Sequence, residues 1–295
     1  MASVQDLKRR IRSVRNTRKI TRAMELVAAA KLRRAEQRIT AMRPYAETMN
    51  ELIAGVGRAA SSVRLPLLEQ RENVESVAIV PLTGDRGLAG SFNAQIMRRA
   101  FALERSLAGE GKGVRWLAVG KKGRSTLSFR RRDVAGAYTG FTDRPEYADA
   151  QAIAHRASEL FTTGEVDRVV LVYNTYVSAL TQRVTEQDIL PISADILETD
   201  EQERADDTLR GDFIFEPEPE EILERLLPVY LETQIYRALL ESTASEQGAR
   251  MTAMRNASKN AGEIIDSLTL SMNRARQAEI TQEILEVVAG AEALM

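Results

Sequence analysis

Two helix-forming stretches, each far longer than a globular domain uses, stand at opposite ends of this chain. Residues 3–57 open it, and Glu220 to Gly290 close it. Helices of globular proteins run about 8–20 residues, and a periodic stretch beyond about 25 points to a coiled coil or a shaft. At about 1.5 Å per residue the closing stretch would span roughly 105 Å, more than the diameter of any single domain of this size. A compact α/β pattern lies between the two. That layout suits a mechanical or assembly part better than an enzyme.

The helical stretches carry seams. Ser3, with Asp6 three residues later, reads as a box-like helix start. Val4, Leu7, Ile11 and Val14 keep the 3-4-3 spacing of a coiled-coil seam, and Ile20, Met24, Val27, Leu32, Ala35 and Ile39 continue it less strictly. Pro44 removes a backbone donor and predicts a kink. The closing stretch starts behind Pro217 and Pro219, which favour a helix start there. Its apolar positions begin with Leu223, Leu227, Ile235 and Leu239. They narrow to Ala244, Ala249, Ala253, Ala257 and Ala261, then widen through Ile264, Leu268, Met272, Ile280, Ile284 and Val287. Pro228 predicts a second kink or a restart.

The centre alternates element types. Val77–Leu82, Val114–Val119 and Arg168–Tyr173 read as buried strands, with a weaker one at Val134–Tyr138. Helices are expected at Ser91–Leu107, Lys122–Phe129 and Pro145–Phe161, and two further extended segments at Ala179–Val184 and Gln187–Ile192. Strand–helix alternation implies parallel pairing with helices on the sheet, and the late strand-after-strand run an antiparallel edge. The divisions expected are a coil helix at 1–57, an α/β domain at 74–197, an acidic linker at 198–219 and a second coil helix at 220–295.

Composition narrows the chemistry. There is no cysteine, which rules out disulfides, thiolate catalysis and cysteine zinc sites. The one histidine, His155, sits in a helical run and reads as a solvated helix residue. No secretory signal is legible at the start, and no run of about 18 apolar residues is present to span a bilayer. The net charge of −1 hides two opposite segments. Residues 1–43 hold thirteen Lys/Arg against three acids, and residues 198–221 hold eleven acids against two arginines. The basic helix could bind nucleic acid, but no aromatics interleave for stacking. Thr83 to Ser91 lies where a phosphate loop would sit, yet it has neither the P-loop nor the dinucleotide spacing and reads as a structural turn. Gly120–Arg124 reads as a solvated turn. No nucleophile elbow, paired histidines or supported carboxylate pair emerges, so no catalytic, cofactor or metal residue is assigned.

Several blocks in order nevertheless resemble one family. They are Arg9-Arg10-Ile11 with Thr17 to Ala28 and Arg43-Pro44-Tyr45; Asp85-Arg86-Gly87-Leu88; Ser245 to Met254; Asn273 to Gln277; and Ile280-Thr281-x-Glu283-x-x-Glu286-x-x-x-Gly290-Ala291. Together they resemble the gamma subunits of bacterial F-type ATP synthases over nearly the whole length. The residue after Leu88, often cysteine in that family, is Ala89 here. The resemblance implies an antiparallel coiled coil of the terminal helices beside a Rossmann-like α/β domain. It implies a central-stalk rotor that performs no chemistry and needs no cofactor. Its partners would be three alpha and three beta subunits, an epsilon subunit and the membrane c-ring, at the cytoplasmic face of the bacterial plasma membrane. By that resemblance Met24, Arg276, Gln277, Thr281 and Glu283 would contact beta-subunit loops, and Phe213, Phe215 and Glu216 the c-ring and epsilon. Two other readings stay open: a nucleotide-binding α/β enzyme with oligomerisation arms, and a coiled-coil scaffold or nucleic-acid clamp using residues 8–43.

Overall fold

The computed structural model describes residues 3–59, 65–71, 73–193, 196 and 217–292. The chain divides into two compact units. One holds residues 31–249; the other pairs residues 1–30 with 250–295. Each long helix contributes to both: α1 is Val4–Ala59 and α5 is Pro219–Glu292.

The larger unit is built on a five-stranded sheet of order β3-β2-β1-β4-β5. The strands are β1 (Ser76–Pro81), β2 (Gly113–Val119), β3 (Val134–Tyr138), β4 (Arg168–Tyr176) and β5 (Gln182–Leu190). The first four run parallel, and β5 lies antiparallel against β4. The helices between them are α2 (Phe92–Gly109), α3 (Lys121–Phe129) and α4 (Tyr147–Thr162). The two late extended segments of the sequence reading form one strand. Ala179 and Leu180 bend between β4 and β5, and β5 runs without interruption to Leu190.

The strands read as continuous apolar runs because both sheet faces are covered. Ala78, Val80, Leu117, Val119, Val169 and Leu171 face α4 and the Leu227–Leu239 part of α5. Val77, Ile79, Trp116, Ala118, Val170 and Val172 face α2, with Phe92, Ile96 and Ala100. The alternation within each strand decides which layer a residue joins.

Neither proline ends its helix, and no restart occurs at Pro228. Helix α1 runs through Pro44 and α5 through Pro228. Both prolines are exposed. Around Pro228 the residues Leu223, Leu227, Leu231 and Ile235 are buried at 1% exposure or less. Burying such a stripe outweighs one lost backbone bond. Pro219 itself is the first helical residue, where its missing N–H costs nothing. Further along α1, Met49, Ile53 and Val56 cluster with Leu223 of α5, and Arg38 donates to the Tyr236 hydroxyl at 2.9 Å. The two helices therefore run antiparallel in this unit.

In the smaller unit they do so again. Glu25 meets Arg255 at 3.0 Å. An added Cβ at Gly262 would lie 3.6 Å from the Arg18 guanidinium carbon. Both positions step by seven residues, in opposite senses. The same step places the start of α1 near Arg276. Ser3 caps α1 as expected: the Asp6 amide donates to the Ser3 hydroxyl, which donates to the Asp6 carboxylate.

Candidate functional site

An open α/β sheet binds ligands outside the carboxyl ends of its strands, where the strand order reverses. Here that point lies between β1 and β4. The turn after β1 is tied from several sides. Thr83 donates its hydroxyl to the Val119 carbonyl and accepts from the Gly123 amide, both at 2.7 Å. The Gly84 amide donates to Asn93 at 2.8 Å. The Asp85 carboxylate accepts from the amides of Lys121, Gly140 and Thr142 and from the Thr142 hydroxyl, which joins the loops after β1, β2 and β3.

The crevice itself is filled by α5. Ser242 donates to the Leu82 carbonyl, Thr243 to the Thr142 carbonyl and Ser245 to the Asn174 carbonyl. The Glu246 carboxylate lies so close to Gly84 that a Cβ there would sit 2.7 Å from it. An acidic side chain thus stands where a phosphate loop would hold an anion. Every residue from Ala238 to Gly248 is buried. A helix buried all round is usually apolar. This one is rich in Ser, Thr, Glu and Gln because it answers the exposed polar backbone at the strand ends. Within it and beside it, Asn174, Glu241 and Gln247 keep buried polar atoms with no protein partner.

The coil seam differs from the sequence expectation. From Leu7 the buried or facing residues are Ile11, Val14, Arg18, Thr21, Glu25 and Ala28, and Leu32 and Ala35 continue the spacing. They alternate steps of four and three without a skip, as a heptad requires. Ile20 and Val27 lie off this line and are 59% and 56% exposed; Met24 is half-buried beside it. On α5 the matching line is Met254, Ser258, Ala261, Ile265, Leu268, Met272 and Ala275, so Ile265 replaces the expected Ile264. The preference for apolar residues misled the reading, since the phase set by Leu7 and Ile11 places polar Thr21 and Glu25 inside. Glu25 is 5% exposed. Arg255 and Arg22, at 3.0 and 2.7 Å, hold its carboxyl below the usual range against the burial that opposes ionisation.

The residues assigned by resemblance do not form one cluster. Met24 lies at the rim of the seam, while Arg276, Gln277, Thr281 and Glu283 are all exposed on α5. Their stretch lies beyond the start of α1. Thr281 spends its hydroxyl on the Gln277 carbonyl at 2.8 Å. From Arg276 to Ala289 every side chain is exposed, including Ile280, Ile284, Leu285, Val287 and Val288. Phe213, Phe215 and Glu216 fall outside the described residues, as does most of the acidic segment. Among the described residues no helix is long and apolar enough to cross a membrane. His155 is exposed on α4. Sequence reasoning missed the filling role of Ser242, Ser245 and Glu246 and the seam role of Glu25. An unbroken heptad count from Leu7 would have found the last.

Comparison with known proteins agrees across the full length. A family model described as ATP synthase matches residues 3–294. A protein of Rubrobacter xylanophilus named ATP synthase gamma chain is 48% identical over 294 residues, covering 100% of this chain and 99% of that one. The protein of the same name from Moorella thermoacetica is 46% identical over the full length of both. Among solved structures, a chain of the Tetrahymena thermophila mitochondrial ATP synthase central stalk and c-ring is 29% identical. It covers 81% of this chain and 99% of its own length, with a TM-score of 0.61. A chain of the Euglena gracilis mitochondrial ATP synthase shares the fold at a TM-score of 0.70 and 20% identity, covering 99% of this chain and 94% of that one.

Proposed function

This chain belongs to the ATP synthase gamma family, and from that premise we infer how its geometry serves the enzyme. It is the central-stalk rotor subunit of a proton-translocating F-type ATP synthase. It transmits torque between the membrane c-ring and the catalytic subunits, and so couples proton flow to ATP synthesis or hydrolysis. The observation that carries the mechanical reading is the pair of matched heptad seams, which joins the terminal helices into a two-stranded coil within the smaller unit. A paired shaft resists twisting and bending far better than a lone helix.

The finer assignments are proposals. Three alpha and three beta subunits surround one copy of this chain, with an epsilon subunit and the c-ring at the other end, on the cytoplasmic face of a bacterial plasma membrane. An asymmetric shaft touches each beta subunit differently. Differential contact energy of that kind is what biases otherwise equal sites toward different affinities. Met24, Arg276, Gln277, Thr281 and Glu283 make those contacts, and Phe213, Phe215 and Glu216 meet the c-ring and epsilon. The exposure of Arg276 to Ala289 supports the first group, because bare apolar residues on a lone helix call for a covering partner. The basic face of α1 supplies attraction to acidic partner segments that salt largely screens.

Co-expression with alpha and beta subunits, with purification through beta, tests this. The expected product is a three-to-three-to-one complex whose ATPase activity depends on this chain. Arg276→Ala with Gln277→Ala is expected to lower ATP-driven proton pumping while the central domain stays folded. Unchanged pumping would overturn the contact assignments, and failure of the folded chain to co-purify would overturn the assembly.

A further inference from the structure

A concave site of the larger unit, apart from the filled crevice, is shaped for a small ligand. It is a cavity of about 360 Å³ in the larger unit, between the short 3-10 turn Pro66–Leu68, α4 and the first turns of α5. That volume falls in the range of small-molecule sites, about 300–1,000 Å³. Its apolar lining comes from Leu65, Leu67, Ala154 and Leu227. Its polar lining includes His155 and two carboxylates, Glu224 and Glu232.

Three features give it a sign. Glu224 makes no ion pair among the described residues. Glu232 accepts the Tyr147 hydroxyl at 2.8 Å and the Gln151 amide at 3.1 Å, both on Oε2, which leaves Oε1 to face a donor. Pro228 also lines the cavity. Proline has no N–H to return to the carbonyl four residues back, here that of Glu224. An interior helix carbonyl without its ordinary donor is an acceptor in search of one. The surroundings share the sign: Glu218, Glu220, Glu221 and Glu224 stand against Arg225, which is itself paired with Glu221. Apolar walls that end in two carboxylates and a freed carbonyl suit a group carrying both positive charge and several N–H donors.

We propose that this cavity binds a small organic cation, an ammonium or guanidinium head on an apolar body. The head sits by the Glu224 carboxylate and donates to the Glu224 carbonyl that Pro228 frees, while the body lies against Leu67 and Leu227. Glu232 lies about two turns further along the helix and adds its charge from there. In this reading Pro228 is part of a recognition site. A neutral analogue of the same shape keeps the apolar contacts and loses the charge-assisted bonds, which are the stronger ones.

The test uses the full chain with methyl-labelled leucine and three probes: 2-phenylethylammonium, 2-phenylethanol and 3-phenylpropionate. Titration followed by NMR reads affinity and place together. The ammonium is expected to shift the Leu67 and Leu227 methyls and to bind about tenfold more tightly than the alcohol, with the carboxylate weaker still. Glu224→Gln with Glu232→Gln is expected to abolish that preference. Pro228→Ala restores the backbone donor without threatening the helix, and should weaken the ammonium about threefold while leaving the alcohol unchanged. Equal binding of ammonium and alcohol would overturn the proposal. So would shifts elsewhere than these methyls, no binding at millimolar probe, or an affinity that Pro228→Ala does not change.

Discussion

Two stretches of α5 teach opposite lessons about what a helix needs. From Ala238 to Gly248 it is buried on every side and largely polar; from Arg276 to Ala289 it is exposed on every side and carries Ile280, Ile284, Leu285, Val287 and Val288. Composition alone would assign the burial the other way round. The first stretch finds its partners within the chain, because strand ends present carbonyls that Ser242, Thr243 and Ser245 satisfy. The second has no cover among the described residues, where α1 starts only at Val4. Polar burial here marks a joint completed by folding, and apolar exposure marks one that assembly must complete.

The largest test of the joint is Gly120→Ala. Gly120 has φ +85°, and a Cβ there would fall 2.0 Å from the Thr83 carbonyl oxygen. Left-handed strain and a backbone clash together should cost on the order of 3–5 kcal/mol. Trp116, buried in the sheet and the one tryptophan of the chain, reports it by fluorescence in denaturant. A midpoint near that of the wild type would mean the strand-end loops are loose. Asp85→Ala comes next, with an expected loss of about 2 kcal/mol on the same probe. It removes the acceptor of three amides and a hydroxyl that tie three loops together, at about 0.5–1 kcal/mol for each such partly solvated bond.

How much of this was readable beforehand divides along the same line. The apolar runs of β1, β2 and β4 and the length of both helices were legible, because burial on two faces and shaft length leave unmistakable patterns. The restart allowed for at Pro228 does not occur, since the stripe from Leu223 to Ile235 outweighs a local rule. The seam was misread at Ile20 and Val27 because residue type was given priority over phase. The filled crevice was illegible: Ser242, Ser245 and Glu246 look like ordinary helix surface until the strand ends meet them. The residues assigned to partner contact came from resemblance, and the fold of one chain alone holds no opposite surface for them.

The coil seam lies between the two extremes, with a buried acid held by two arginines. Depressed below the usual range, the Glu25 carboxyl contributes stability at neutral pH that is lost as pH falls through its folded value. The coil should therefore loosen in acid, and Glu25→Gln should flatten that dependence. Arg22 and Arg255 are 61% and 56% exposed, so solvent screens the attraction. A double-mutant cycle of Glu25→Gln with Arg255→Met should give a coupling of about 1 kcal/mol or less. A larger coupling would place the coil closer to the buried joint than its exposure implies.

The smallest effect on the free chain belongs to the tip. Ile284→Ser with Val287→Ser removes apolar surface that is 57% and 73% exposed. None of the described residues covers it, so the unfolding free energy should stay within about 0.5 kcal/mol of the wild type. In the complex the same substitutions act on a surface whose burial waits for the partners. Loss of an apolar area of that size should weaken association by about 1–3 kcal/mol, read as a lower share of this chain retained with beta on dilution. The two measurements must be made on one preparation, because the contrast is the prediction. A free chain destabilised as much as the complex would mean the tip folds back on its own molecule. A complex left intact would mean that the bare apolar end touches nothing, and the rule drawn from α5 would hold only for its buried half.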